Sequence, residues 1–222
     1  RDVERSRGLG DVYKRQGYKD DNGNELSILK IAHGTNHLLA LDTNGNVWTL
    51  GANEHGQLGT NSRTASTVPV KVYKGEQNSG DSYLSGIVDI SASKFVSAAI
   101  DVNGDIYRWG ANEYGQLGDG SVSCAYEPIN VTALNGKDIV SVHAGEYHSI
   151  ALTRDGEVYT WGHNDYGQLG LGNASIVVST PQKVESLPEI VSISAGKQHT
   201  MVLGADGYVS VSYTHLRAHE TS

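Results

Sequence analysis

Short segments of alternating apolar and polar residues recur along this chain and predict antiparallel β-strands. Residues 139–144 and 148–153 alternate in this way, and the pair Asp155-Gly156 that follows is typical of a two-residue hairpin turn. Residues 157–162 continue as a third strand, and a weaker fourth is expected at 181–185. Because helical periodicity is absent, the pattern predicts an all-β chain.

The tetrapeptide Gly-Gln-Leu-Gly marks three copies of one longer repeat. It begins at Gly56, Gly115 and Gly167, so the copies lie 59 and 52 residues apart. A fourth copy opens at Ala195 and stops soon after residue 207. Units with such a period stack on their neighbours, and four antiparallel strands in about 50 residues are typical of a propeller blade.

Three linked motifs recur in register: G-x-x-H-x-x-A-L, a strand ending in aromatic-x-W-G, and N-x-x-G-Q-L-G. They resemble the repeats of the regulator of chromosome condensation family, over residues 17–209. The resemblance implies a seven-bladed β-propeller, of which this chain would hold about three and a half four-stranded blades. The units are expected at 28–86, 87–138, 139–189 and 190–209, the last cut after its second strand. Leu50, Ser93 and Val96 depart from the motifs.

The two ends of the chain do not follow the repeat. Residues 11–16 and 211–215 can be encoded by complementary strands of one DNA sequence, and both resemble translated sequencing-adapter sequence. Such segments are set aside before a fold is considered. Residues 1–16 and 210–222 are therefore expected to lie outside the propeller and to make no specific packing with it. An adapter also suggests a bacterial metagenomic fragment.

Charge and composition exclude several classes of partner. Without the two ends, 11 basic and 21 acidic residues give a net charge of −10. An acidic chain repels phosphate, so no nucleic acid is expected as a partner. No run of eighteen apolar residues occurs, so no membrane insertion is expected. The single cysteine, Cys124, gives neither a disulfide framework nor a thiolate metal site.

The motif residues themselves are expected to be structural. The glycines of G-Q-L-G permit unusual backbone angles or close approach, the leucines are buried between blades, and the glutamines satisfy backbone groups. The motif histidines occur once per repeat, and Val96 replaces one, so a backbone-bonded histidine is favoured over a metal ligand. No catalytic residue, metal or cofactor is expected.

The residues that vary between repeats are the candidate partner-binding site. The two positions inside G-x-x-H differ in every copy and lie in the turn between the first and second strands, so they should line one face. In family members that bind a partner through this face, these loops resemble the contact ring. A second variable set, before G-Q-L-G, is expected on the other side or at the rim. The first set is Thr35, Asn36, Lys94, Phe95, Glu146, Tyr147, Lys197 and Gln198, and the second is Glu54, His55, Glu113, Tyr114, Asp165 and Tyr166.

Three classes of function remain after these observations. A non-catalytic propeller that binds a protein through loops on one face is favoured, since aromatic residues such as Phe95 and Tyr147 are common interface anchors. The alternative is a guanine-nucleotide exchange factor for a small GTPase, which the resemblance implies. Exchange factors of this type use acidic residues in the G-x-x-H turn, where only Glu146 is acidic here. Nothing in the sequence supports a hydrolase or lyase. Bacterial proteins with these repeats resemble secreted or surface modules, which favours an extracellular or cell-surface location.

Overall fold

The computed structural model describes residues 19, 23, 25–172 and 175–212. Within these ranges the regular structure is fifteen β-strands and one short 3-10 helix, Thr132–Leu134. No helix in the described part of the chain is long and apolar enough to cross a membrane. The all-β prediction is therefore confirmed.

The strands form four antiparallel sheets, each of which follows the order of the chain from its first strand to its last. The first two sheets contain β1 (Ile28–His33), β2 (His37–Asp42), β3 (Val47–Gly51) and β4 (Ser66–Lys71), then β5 (Ile87–Ala92), β6 (Val96–Asp101), β7 (Ile106–Gly110) and β8 (Ala125–Asn130). The other two contain β9 (Ile139–Ala144), β10 (His148–Thr153), β11 (Val158–His163) and β12 (Val177–Lys183), then β13 (Ile190–Ala195), β14 (Thr200–Gly204) and β15 (Val209–Ser212). The predicted strands of the third unit are confirmed, although β12 begins four residues before the expected position.

The sheets stack side by side as the blades of a partial propeller. The first strands of successive sheets are neighbours, with β1 beside β5, β5 beside β9 and β9 beside β13. Apolar side chains from each pair of facing sheets fill the space between them and remove it from water. The three interblade clusters include Leu39, Ile90 and Trp109; Ala98, Val142 and Trp161; and Ile150, Leu152 and Val202.

The fourth blade has a third strand, so the expectation that it ends after its second strand is wrong. Strand β15 pairs with β14 from Leu203 opposite Val209 to Thr200 opposite Ser212. Residues 210–212, expected to make no packing, are therefore part of the sheet. The physical reason is that the free edge of β14 presents backbone groups that any extended segment can pair with after the hairpin turn. The same prediction for residues 1–16 and 213–222 concerns residues outside those that the structure describes.

An insertion at residues 73–85, between the first and second blades, packs against the second blade. The backbone N–H of Glu76 donates to Pro128 O over 2.9 Å, and the Glu76 carboxylate accepts the N–H of Asn130 over 2.8 Å. Leu84 is fully buried and belongs to the core between the first two blades. The insertion thus fastens the outer edges of these two blades together.

Candidate functional site

The motif histidines of the first and third blades each join their blade to the one that follows it. Nε2 of His37 in the first blade lies 2.9 Å from Oγ of Ser97 in the second, and that hydroxyl donates to Gln57 O over 2.8 Å. In the third blade, Nε2 of His148 lies 3.0 Å from Oγ1 of Thr200, which donates to Gln168 O over 2.8 Å. The expectation that the backbone satisfies these histidines is corrected, since their partner is a hydroxyl of the following blade.

The hydroxyl and the burial of the ring together determine where each of these histidines carries a proton. A serine or threonine hydroxyl has one proton to donate, and here it donates that proton to the glutamine carbonyl. The histidine must therefore be the donor in its bond with the hydroxyl, so Nε2 carries a proton. The Nδ1 atoms of His37 and His148 are buried and make no hydrogen bond. Burial lowers the pKa of both rings from 6.5 to about 4. Both histidines are therefore neutral at pH 7.

The glycine of G-x-x-H is required by the histidine ring that follows it. A Cβ atom added at Gly34 or Gly145 would lie 2.2 Å from the Cε1 atom of His37 or His148. In the second blade the ring is absent because Val96 stands in its place, and Ser93 replaces the glycine. The two departures of this blade from the repeat therefore form one coupled change.

The G-Q-L-G loop is held by side chains that replace missing strand partners. In the second blade, Oε1 of Gln116 accepts the N–H of Tyr114 over 2.8 Å, and Oδ1 of Asn112 accepts the N–H of Leu117 over 2.9 Å. Nε1 of Trp161, in the next blade, donates to Gln116 O over 2.9 Å. The two side-chain contacts recur in the first and third loops, and Trp109 donates in the same way to Gln57 O of the first loop. The predicted structural role of the glutamines and the burial of the leucines are therefore confirmed.

Charged residues of the G-x-x-H turns meet at an open depression of about 470 Å³, lined by residues of all four blades. Lys94 forms an ion pair with Glu146, and Lys197 lies 3.2 Å from the second oxygen of the same carboxylate. Burial tends to raise the pKa of Glu146, but hydrogen bonds from Lys94, Lys197 and Tyr147 outweigh it and the pKa falls. Hydrogen bonds to Glu146 and Tyr147 raise the pKa of Lys94 to about 12. Thr35 also lines this depression.

The aromatic residues of the turns lie outside this depression, against the loops that precede G-Q-L-G. The ring of Phe95 stacks on His55, with centroids 4.6 Å apart and planes 27° from parallel. The ring of Tyr147 lies 4.9 Å from Tyr114, and its hydroxyl accepts a hydrogen bond from Lys94 over 2.9 Å. Both aromatic rings remain partly exposed.

The second variable set therefore lies against the first, on the same face. The sequence predicted the other side or the rim, and the first of these two alternatives is wrong. The register of the sheets gives the reason. The end of each third strand pairs with the start of the second, as Gly51 does with His37 and Gly162 with His148. The loop after the third strand thus leaves the same sheet edge as the G-x-x-H turn. The face continues through His163, which contacts Tyr114 at 4.5 Å between centroids.

The predicted site residues fall into three groups on this face. Thr35, Lys94, Glu146 and Lys197 line the depression. Phe95 and Tyr147 form the aromatic part, and Asn36 and Gln198 hold the equivalent turn positions of the first and fourth blades. The sequence placed His55 and Tyr114 in the second variable set, on the other side or at the rim, and gave no indication of His163. The hairpin register could have indicated that all three lie at this face.

Three ligand-type side chains meet beside this face, at the junction of the first two blades. Nδ1 of His55 lies 3.5 Å from Oε1 of Glu113, and Sγ of Cys124 lies 3.8 Å from the same oxygen. The sequence predicted no thiolate metal site, because the chain has a single cysteine, and His55 is not one of the motif histidines. The sequence pattern therefore did not indicate this group. The three residues belong to two loops, one from each of the first two blades, and are brought together by stacking of the blades.

Comparisons with known proteins agree with this architecture. The profile described as RCC1-like domain matches residues 13–212. The chain is 36% identical over 184 residues to the probable E3 ubiquitin-protein ligase HERC6 of Homo sapiens, covering 81% of this chain and 17% of that protein. It is also 36% identical over 184 residues to the ultraviolet-B receptor UVR8 of Arabidopsis thaliana, covering 82% and 40%.

A solved structure shows the same fold. Prp20p of Saccharomyces cerevisiae superimposes with a TM-score of 0.74 at 24% identity, over 85% of this chain and 45% of that one. The chain spans less than half the length of each of these relatives. The repeated motifs, the stacked four-stranded sheets and the matched profile lead to one conclusion: the chain belongs to the RCC1-like domain family.

Proposed function

We propose that this propeller binds a partner protein through the face formed by the G-x-x-H turns and the loops before G-Q-L-G. The observation that carries the proposal is the continuity of this face. His55 contacts Phe95, and Tyr114, Tyr147 and His163 contact one another. Lys94 lies against both Phe95 and Tyr147, so it connects the two groups of rings across the first three blades. Aromatic residues of this kind are frequent anchors of protein interfaces.

The packing of these rings favours binding over a purely structural role. Phe95 and Tyr147 are each held on one side by a neighbouring ring and by Lys94, whose Nζ atom lies 5.1 and 5.0 Å from the two ring centroids. Their conformations are therefore restricted before a partner arrives, so less entropy is lost on binding. The depression beside them adds two lysines and one glutamate, which supplies both charges for orienting a partner.

The family also contains enzymes, and we propose that this chain contributes recognition and no covalent chemistry. HERC6 is named as a probable ubiquitin ligase, but this chain corresponds to only 17% of it. The negative charge at the depression is fully paired, because the Glu146 carboxylate is bonded to both lysines. A carboxylate held in this way is poorly suited to act as a general base.

A guanine-nucleotide exchange factor remains the second candidate. Prp20p, which shares the fold, is described by its binding to Gsp1p and histones. Glu146 is the acidic residue of the described turns that could act on a GTPase, and its ion pairs would first have to open. This candidate requires accelerated release of labelled nucleotide from a small GTPase, and the Glu146→Gln variant should then slow that release.

Removing the two aromatic anchors should abolish partner capture. Each truncation in a desolvated interface typically costs about 2 kcal/mol or more, so Phe95→Ala with Tyr147→Ala should reduce affinity by about a thousandfold. Capture is measured by quantitative pull-down with the protein as bait. The pair Tyr73→Ala with Tyr83→Ala is the matched control, since these rings contact each other at 5.7 Å on the insertion, away from the face.

The two double variants should differ in capture while both keep the melting temperature within a few degrees of the wild type. Equal capture by the wild type and the Phe95/Tyr147 variant would remove this face from consideration. Loss of capture in the Tyr73/Tyr83 variant alone would show that the insertion, and not this face, contacts the partner.

A further inference from the structure

We infer that His55, Glu113 and Cys124 form a binding site for a divalent transition-metal ion of the zinc class, at the junction of the first two blades. His55 belongs to the loop after β3, and Glu113 and Cys124 belong to the loop between β7 and β8. An ion at this point would bridge two blades. This inference does not depend on the proposed partner-binding function.

The donor atoms already have the spacing of a tetrahedral site. A tetrahedron with metal–ligand bonds of 2.0 to 2.3 Å has edges of about 3.3 to 3.8 Å. The His55–Glu113 and Glu113–Cys124 distances are 3.5 and 3.8 Å, and all three donor atoms lie within 4.8 Å of one another. Small rotations of the Cys124 or His55 side chain would close the third edge.

The chemistry of the donors selects the class of metal. An imidazole nitrogen, a thiolate and a carboxylate together favour zinc and similar ions over magnesium or calcium, which prefer oxygen ligands alone. Three protein ligands would leave the fourth position of the metal open, for water or for a group of a bound molecule. The ligands are partly exposed, with side-chain exposures of 29% for His55 and 51% for Glu113, so an ion can enter from solvent.

Two contacts hold the histidine ligand in place. Its backbone N–H donates to Oε1 of Gln57 over 2.9 Å, which fixes the loop. Its ring stacks on Phe95, which limits rotation about the last side-chain bond. Contacts that orient a ligand raise metal affinity, because less conformational entropy is lost on binding.

The repeat shows that this ligand set is particular to one junction. In the loop positions equivalent to His55, the second and third blades have Tyr114 and Tyr166. In the position equivalent to Cys124, the first blade has Ala65. Three ligand-type residues therefore coincide only where the first blade meets the second, among the junctions that the structure describes. The Ala65 position also shows that alanine is compatible with the blade at Cys124.

Cobalt(II) is the probe that tests the site, because it substitutes for zinc and its spectrum reports the ligands. Titration of the wild-type chain, reduced and free of other metals, should reach one cobalt ion per chain. It should produce a near-ultraviolet thiolate-to-cobalt charge-transfer band and intense visible bands of tetrahedral cobalt. Zinc should abolish both sets of bands by displacement.

Variants separate this site from adventitious binding. Cys124→Ala should lose the charge-transfer band, and Glu113→Gln should weaken binding by at least about tenfold. Glu54→Gln is the matched control, because Glu54 holds the position of Glu113 in the first blade and should bind cobalt as the wild type does. Circular dichroism verifies that each variant keeps its β-structure.

Three results would overturn the inference. The first is the absence of stoichiometric cobalt binding by the folded wild-type chain. The second is a charge-transfer band that persists in Cys124→Ala. The third is a stoichiometry of one cobalt per two chains, which would mean that the ion joins two molecules through a surface thiol.

Discussion

Acidification from pH 7 to pH 4 should lower the free energy of unfolding by about 3 kcal/mol for each of the two interblade histidines. The folded-state pKa of His37 and of His148 is about 4, against 6.5 for an exposed ring. Each unit of pKa difference corresponds to about 1.4 kcal/mol. The loss follows from proton uptake by the unfolded chain.

The pH window follows from the direction of these shifts. Well above pH 6.5 both rings are neutral in the folded and the unfolded chain, so they add no pH dependence. Between pH 6.5 and 4 the unfolded chain binds protons that the folded chain cannot, because Nδ1 is buried without a partner. Stability therefore falls as the pH drops through this window. Carboxylates with lowered pKa, such as Glu146, lose their stabilising contribution at still lower pH.

Denaturant unfolding at a series of pH values measures this effect. The second blade suggests a variant that removes one of the two histidines. The second blade has Val96 at the histidine position, so His148→Val is compatible with a blade. This variant should lose about 1 kcal/mol at pH 7, from one hydrogen bond, and should show a shallower decline towards pH 4. His33→Gln, at an exposed histidine of β1, is the control and should follow the wild type. Parallel profiles for wild type and His148→Val would contradict the assignment.

Truncation of Leu117 to alanine should lower the free energy of unfolding by about 2–5 kcal/mol. Leu117 is fully buried and packs with Val96 and Ala111, against the partly buried Phe95. Alanine would leave a cavity because the surrounding strands and the G-Q-L-G loop are fixed by hydrogen bonds and cannot collapse into it. Equilibrium denaturation monitored by tryptophan fluorescence measures the change.

Leu29→Ala is the matched control for this cavity. Leu29 lies on β1 and is 68% exposed, so its truncation should change stability by less than about 0.5 kcal/mol. Equal effects of the two substitutions would mean that Leu117 is not part of a core. Phe95 packs on the same cluster, so Leu117→Ala should also displace Phe95 from the binding face. The variant should therefore capture less partner even under conditions in which it is fully folded.

The repeat pattern was sufficient to predict the blades, because alternation and hairpin turns are local properties of the chain. The strands of the third unit and the burial of Leu169 followed from them. The interblade contacts were not predictable in this way. The partner of His148 is Thr200, which lies 52 residues further along the chain and reaches it only when the blades stack.

The position of the binding face illustrates a second limit. Tyr114 and Tyr147 are in different repeats, and the sequence pattern placed Tyr114 on the other side or at the rim of the propeller. Their contact follows from the register, in which Val96 pairs with Gly110 and so brings the turn and the loop to one edge. Which loops share one edge of a sheet can be derived from a hairpin once its turn is known, but only if the register is counted residue by residue.

Arg108 is a residue that no sequence pattern indicated. It occupies a strand position that is threonine in the first and third blades, and it is completely buried. Its guanidinium lies 5.2 Å from the centroid of the Trp161 ring, and burial lowers its pKa to about 9. Arg108 lies between two aromatic residues, where alternation predicts an exposed polar side chain, so its burial could be known only from the structure.

The histidine–hydroxyl joint has a consequence for how such a gene can gain or lose repeats. The first and third repeats carry the histidine of a joint, and the second carries Val96 in its place. Unequal recombination that removed the second repeat would bring His37 opposite Ser149, so every described joint would then have both a histidine and a hydroxyl. Removal of the third repeat would bring Val96 opposite Thr200, and one joint without a histidine would remain, as in the present chain. The described joints therefore favour loss of the second repeat over loss of the third.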